Sequence, residues 1–300
     1  MLTIKDKIIL APIHFVSLFP LWIQYRVSDF VFVVVYYVMG YRKKVVFQNL
    51  KNSFPEKSVK EIRLIAHKFY RHLCDVFFES IYLISITDKN AMRRYQAKNP
   101  ELVQNLLDER KNIIVATNHY ANWEWGCIFS LFFPELTAMP IYKPLHNKLF
   151  DRLFLHSRSR FGATPIPMKK TLREIINAQR ENKLIGIYSL GDQRPPKQDL
   201  HYWTTFLNQE TPMITGIEKL AKKFNLAVVF MDIDKIKRGK YITTFRMISE
   251  NPADEPEYSI TEKYARMLET MIIRRPELWL WSHKRWKYKK EDFIPGEKNI

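Results

Sequence analysis

The spacing of apolar and polar positions changes character along the chain. Residues 8–25 and 30–40 form two apolar runs, nearly free of charge, broken by Pro12 and Pro20 and separated by Arg26 and Asp29. Each is shorter or more polar than the roughly 20 apolar residues that cross a bilayer unaided. Residues 1–41 are therefore expected to be a membrane-embedded or interfacial anchor, with Arg42, Lys43 and Lys44 as its basic flank. A pair of buried core helices is the alternative. A secretory leader is disfavoured, because no small-residue cleavage site follows.

Pro55 then marks a turn, and Ser58 with Glu61 makes the capping-box signature of a helix start. Apolar residues at 62, 65, 69, 73, 76 and 77 predict an amphipathic helix to about residue 85. Beyond residue 110 short β-rich runs appear at 112–117, 137–142, 184–189, 226–233 and 241–248. Helix-length segments lie near 122–133, 147–160, 171–182, 212–224 and 258–274. This alternation predicts an α/β fold, a mixed, largely parallel sheet flanked by helices, over residues 42–300 as one domain. The runs at 226–233 and 241–248 read as an antiparallel hairpin within it.

Composition narrows the partners. Of the 300 residues, 46% are hydrophobic and 14% aromatic, enough for a sizeable core, and the formal charge is +17. Such a surplus of Lys and Arg suits a polyanion: nucleic acid, an anionic membrane surface or an acidic carrier protein. The segment 279-WLWSHKRWKYKK-290 mixes aromatic and basic residues, which fits either base stacking or a membrane-surface patch. No nucleic-acid-binding motif accompanies it, so no nucleic acid is expected. Two cysteines, Cys74 and Cys127, offer neither a disulfide framework nor zinc spacing. The histidines are scattered, and no metal site is expected.

The residues with most chemical content are 118-NHYANWEW-125, directly after the apolar run 113–116. Five residues separate His119 and Glu124, about 140° apart on a straight helix. Across a strand-to-helix turn that objection disappears, and α/β folds open their ligand crevices at such junctions. Glu124 is expected to reach back to one imidazole nitrogen of His119, fixing the tautomer and leaving the other nitrogen to take a proton. A packed histidine between tryptophans is the bland reading of the same residues.

The chain resembles the lipid A late acyltransferases, within the wider lysophospholipid acyltransferase superfamily. The likeness runs through five ordered blocks: 48-QNLKNSFPE-56, 119-HYANWE-124, 142-YKPLHNKLFDRLFLHSRSRFG-162, 192-DQRPPK-197 with 206-FLNQETP-212, and 276-PELWLWSHKRWK-287. It implies that His119 and Glu124 are the catalytic dyad, with His119 as general base in direct transfer and no covalent intermediate. It also implies substrate-binding roles for Arg158, Arg160, Asp192 and Gln193, although a basic helix face and ordinary turn chemistry would use the same residue types. The implied donor is acyl carrier protein, the acceptor a hydroxyl of a lipid A precursor, and no cofactor is needed. The implied place is the cytoplasmic face of the inner membrane. The same chemistry on another lipid (an aminolipid, an ornithine-type lipid, a lysophospholipid or a pigment) is the second expectation. A non-catalytic membrane-surface binding protein is the third. The chain departs from the pattern at Asn118 and in its interrupted N-terminal runs.

Overall fold

The computed structural model describes residues 3–293. Helix α1 (Ile4–Ser17) and helix α2 (Leu21–Val33) lead into a π-helical turn at Val34–Met39, which ends on Gly40 at φ +60°. Among the described residues, Leu21–Met39 is the one helical run long and apolar enough to cross a membrane. Its polar face turns inward. Leu21, Gln24, Ser28 and Phe32 are buried at helical spacing, whereas Trp22, Val27, Phe30 and Val33 are exposed.

Helix α3 (Lys43–Ser53) precedes helix α4 (Val59–Tyr82), which starts on the expected capping box. Glu61 N–H donates to Ser58 Oγ at 3.3 Å, and Ser58 N–H donates to Glu61 Oε2 at 2.8 Å. The buried face of α4 differs from the expected apolar stripe. Phe77 is 61% exposed, while His72, Asp75 and Glu79 point inward. The polar groups are satisfied by α2 and by the loop after the central strand, and they share the buried face with Ile62, Phe69 and Val76 of the expected stripe.

The main sheet has the order β1-β9-β8-β2-β5-β3-β4. Its strands are β1 (Tyr95–Ala97), β2 (Ile113–Thr117), β3 (Thr137–Tyr142), β4 (Ile166–Pro167), β5 (Ile185–Leu190), β8 (Ala227–Lys237) and β9 (Lys240–Ser249). Strands β2, β3, β4, β5 and β8 run one way, and β9 with β1 runs the other. The sheet is thus mixed and largely parallel. Central β2 is buried at every position, as a largely apolar strand covered on both faces should be. The expected hairpin is β8–β9, with strands extended to a tight turn at Arg238 and Gly239. A separate ribbon pairs β6 (Trp203–Phe206) with β7 (Gln209–Pro212). Helices α5 (Asp88–Arg94), α6 (Glu101–Asp108), α7 (Lys148–Ser159), α8 (Thr171–Arg180), α9 (Gly216–Phe224) and α10 (Ser259–Arg274) complete the fold. The helix expected near 122–133 is a 3-10 helix, Trp123–Leu131.

In the C-terminal aromatic and basic segment the tryptophans turn inward, while Lys284, Lys287, Lys289 and Lys290 stay exposed. Trp279, Trp281 and Arg285 are buried. Arg285 donates to the Pro212 carbonyl at 2.6 Å, and Trp281 Nε1–H donates to the Pro276 carbonyl at 2.6 Å.

Candidate active site

The parallel register of the sheet builds the site. Thr117 at the end of β2 pairs with Leu190 at the end of β5. His119 and Asp192 each lie two residues beyond that pair, at the same edge of the sheet. His119 Nδ1 stands 2.8 Å from Asp192 Oδ1, and the His119 backbone N–H donates to Asp192 Oδ2 at 2.9 Å. Trp279 Nε1–H donates to the same Oδ2 at 2.9 Å. A carboxylate only accepts, so Nδ1 carries the ring proton and Nε2 presents a lone pair. Gln193 Nε2, 3.1 Å from His119 Nε2, donates to that lone pair.

Burial alone would raise the Asp192 carboxyl. His119 beside it, the two hydrogen bonds from His119 and the indole N–H outweigh burial and hold it below the ordinary carboxylate value. The side chain of Asp192 is 1% exposed and that of His119 19%. The imidazole is thus reachable while the carboxylate is sealed beneath it.

The carboxylate that meets the imidazole is therefore Asp192, and Glu124, expected to reach back to His119, does not. Glu124 instead takes a two-pronged ion pair from Arg158, with Nη2 3.0 Å from each oxygen and Nε 3.2 Å from Oε2. The reason is local backbone geometry. Ala121 turns into the left-handed region at φ +52°, and Asn122 then caps the 3-10 helix by accepting the Trp125 N–H. This turn lays Trp123 edge-on against the imidazole, with ring centroids 5.4 Å apart. Glu124 follows it and meets α7. Helix α7 begins on Asn147, whose side chain accepts the Leu149 and Phe150 N–H groups, and Arg158 lies in its last turn.

Arg160 is not part of this arrangement. Its guanidinium donates to the Leu83 and Ile86 carbonyls, at 2.5 and 2.8 Å, and so closes the turns beyond α4. Gln193 reaches the imidazole itself. Cys127 sits under the site, and burial pushes its thiol up to about 12, which makes it a poor nucleophile near neutral pH. Asn118 is fully buried, and its amide has no hydrogen-bond partner among the described residues. Also among the described residues, no group of three or more His, Cys, Asp or Glu side chains is arranged around a common point.

The five sequence blocks converge here. Asn49 donates to the carbonyls of Trp281 and His283, at 2.9 and 3.0 Å. Trp286 Nε1–H donates to Thr211 Oγ1 at 2.7 Å, and Trp279 reaches Asp192. The sequence model of the bacterial lipid A biosynthesis acyltransferases matches residues 4–288. The chain belongs to that family.

Among curated relatives, the family member is 23% identical over 257 residues to the lipid A biosynthesis lauroyltransferase of Escherichia coli K12, covering 84% of this chain and 81% of that one. It is 22% identical over 237 residues to the lipid A biosynthesis acyltransferase of Haemophilus influenzae, covering 78% and 72%. To the lipid A biosynthesis palmitoleoyltransferase of E. coli K12 it is 20% identical over 251 residues, covering 82% and 79%. As a member of this family the protein is an acyltransferase of lipid A biosynthesis.

Proposed function

We propose that the protein moves a fatty acyl chain from the thioester of acyl carrier protein to a hydroxyl of a lipid A precursor at the cytoplasmic face of the inner membrane. The observation that carries this reading is the His119 ring, held by Asp192 at Nδ1 with its Nε2 lone pair on the exposed side. The acceptor hydroxyl displaces Gln193 from Nε2 and gives up its proton there as its oxygen attacks the thioester carbonyl. The tetrahedral oxyanion collapses, the C–S bond breaks, and the imidazolium returns the proton to the departing thiolate. The products are an ester and a free thiol. No redox step arises, so the reaction calls for no cofactor.

Arg158, fixed by Glu124, is assigned to the developing oxyanion, where a positioned cation acts mainly in the transition state. Glu124 is then a positioning residue rather than the partner of the base. The half-buried thiol of Cys127, its pKa pushed up by desolvation, supports direct transfer over an acyl-enzyme.

Membrane attachment is proposed through α1 and α2. Ile4, Ile8, Phe15, Leu18, Trp22 and Phe30 are all more than half exposed and form an apolar face too large for a soluble monomer. Acyl carrier protein is an acidic partner for a chain of charge +17. The test is acyl transfer from radiolabelled acyl carrier protein to purified lipid A precursor, with lipid mass spectrometry of a deletion strain alongside. Under-acylated lipid A in the deletion strain is expected. An unchanged lipid A pool with a missing aminolipid, lysophospholipid or pigment ester would move the acceptor to that class, and no lipid change at all would replace the enzyme by a surface-binding protein.

A further inference from the structure

The basic residues singled out from sequence, Arg158 and Arg160, are both committed to protein groups. A different cluster is open. A cavity of about 380 Å³ is lined by Lys68, Arg71, Lys235, Lys237, Arg238 and Arg275, facing the carboxylates of Asp75 and Glu277. Its volume lies within the range of small-ligand sites. Its floor is the extended end of β8, which leaves the sheet at the same edge as β2 and the catalytic loop.

The cations are held in two ways. Arg238 is clamped between acids, with Nε 2.9 Å from Asp75 and Nη2 2.9 Å from Asp29. Arg275 Nη1 donates to the Lys235 carbonyl at 2.6 Å and stands 3.2 Å from Asp234. Lys235 Nζ is 3.5 Å from Asp75 and 3.2 Å from His72 Nδ1. His72 Nε2 faces the Ala121 carbonyl at 3.0 Å, so that nitrogen carries the proton and Nδ1 offers Lys235 a lone pair. Burial keeps this imidazole neutral, lowering its pKa well below the ordinary value. Lys68 and Lys237, by contrast, are exposed and make no ion pair with any described residue. The acids fix a rigid frame of donors, and two uncommitted ammonium groups stand at its mouth.

Two neighbours say what the cavity faces. Its wall at Leu278 accepts the Ala121 N–H at 3.0 Å, two residues from His119. On the other side the β8–β9 turn rests on α2. Arg238 lies over the Tyr25 ring at 4.2 Å, and Gly239, at φ +68°, packs so closely that a Cβ there would meet Tyr25 Oη at 2.3 Å. A basic cavity between the proposed membrane helix and the catalytic loop is placed for an anion carried on a lipid. Planar Arg forks with Lys point charges are the donor set that suits phosphate oxygens.

We propose that this cavity binds a phosphate group on the headgroup of the acyl acceptor and so sets which hydroxyl reaches His119. The inference rests on the acyl-transfer reading above. Lys68→Glu and Lys237→Glu, alone and combined, reverse exposed charges without touching the clamped frame. With acyl carrier protein donor saturating, the double variant should raise KM for purified lipid A precursor about tenfold or more, with kcat within about twofold of the parent. Phosphatase-treated precursor should show the same raised KM with the parent enzyme, and the variants should add nothing further. An unchanged KM, or an equal rise for both forms of the acceptor, overturns the proposal.

Should the parent enzyme acylate neither acceptor, the functional reading fails and the cavity is judged by binding alone. The intact protein should then bind phosphatidylcholine vesicles doped with phosphatidic acid more tightly than vesicles doped with phosphatidylserine, and the double variant should lose that preference. No preference refutes a phosphate site. Saturable binding of inorganic phosphate without any vesicle preference would make free phosphate the ligand and refute the lipid assignment.

Discussion

Replacing Asp192 by Asn tests the dyad most directly, because it keeps the side-chain volume and changes the hydrogen-bond code. The native carboxylate receives three donors: the His119 and Trp279 N–H groups on Oδ2 and the imidazole Nδ1–H facing Oδ1. An amide has one acceptor oxygen and an NH2 group. If its oxygen faces Nδ1, the NH2 meets two N–H groups head-on. If its oxygen takes those two donors, the NH2 faces Nδ1 and drives the ring proton to Nε2. The second arrangement leaves fewer unmatched groups and is expected to prevail. It removes the lone pair that accepts the hydroxyl proton. A base locked in the wrong tautomer by the same change in a serine protease triad loses about 10⁴ in kcat. A loss of 10³–10⁴ here would correspond to about 4–5.5 kcal/mol of transition-state stabilisation. Folding stability should fall less, on the order of 2 kcal/mol, since charge-assisted hydrogen bonds are weakened but the cavity stays filled. Single-turnover transfer from labelled acyl carrier protein separates the chemical step from binding, and a thermal melt checks the fold. An Asp192→Asn enzyme within about tenfold of the parent in single turnover would refute Asp192 as the group that sets the tautomer.

Glu124→Gln and Arg158→Lys should each lower kcat by about 10–10²-fold, and the double variant should cost no more than the worse single change, because both act through one positioned cation. Additive losses in steady-state kinetics would separate the two roles. Glu79→Gln, which replaces one of two oxygens accepting from Tyr25, Asn122 and Tyr241 at 2.6–2.7 Å, should cost about 2–4 kcal/mol in urea denaturation. A midpoint within error of the parent would show that the carboxylate is dispensable. Burial lowers His283 from 6.5 to about 4, so its stabilisation is complete above pH 6.5 and is lost as pH falls from 6.5 through 4. After discounting for partial exposure this amounts to about 1–2 kcal/mol, and His283→Asn should flatten the pH 5 against pH 7 difference in denaturation midpoint. An undiminished difference would assign the acid sensitivity elsewhere. Asp192, held below its ordinary value, contributes at all these pH values and is lost only in stronger acid.

Much of the frame was legible because its signals are local. The β-rich apolar runs that became β2 and β5, the Ser58–Glu61 cap and the β8–β9 hairpin are each decided by a few neighbouring residues. The residues of the candidate site could be named from the sequence, but not which of them touch. His119 and Asp192 are 73 residues apart, and their contact exists because β2 and β5 pair in parallel at Thr117 and Leu190. The usable signal was equal offset: each group stands two residues past the end of its strand. Glu124, five residues from His119, drew attention by proximity, but the left-handed Ala121 turned it toward α7. The C-terminal segment misled for a related reason. Tryptophans beside lysines resemble an interfacial patch, yet Trp279 and Trp281 each have an internal acceptor for the indole N–H, and burial follows.

The inward face of α4 gives these separate features a common support. His72, Asp75 and Glu79 recur at helical spacing, and together they reach α2, the β8–β9 turn and the loop after β2. His72 holds the Ala121 carbonyl, Asp75 takes Ser28 of α2 and Arg238 of the β8–β9 turn, and Glu79 takes Tyr25 of α2 and Asn122 of the catalytic loop. Burying three titratable side chains costs more than apolar packing would, unless every one is satisfied. What the arrangement supplies is registration: α2, the basic cavity and the turn that carries His119 are fixed to one helix. Under the proposed function, with the acceptor held in a membrane, the depth of His119 relative to α2 sets which hydroxyl it reaches. A loosened α4 would therefore blur positional selectivity before it abolished transfer, since the His119–Asp192 contact itself is held by β2, β5 and Trp279.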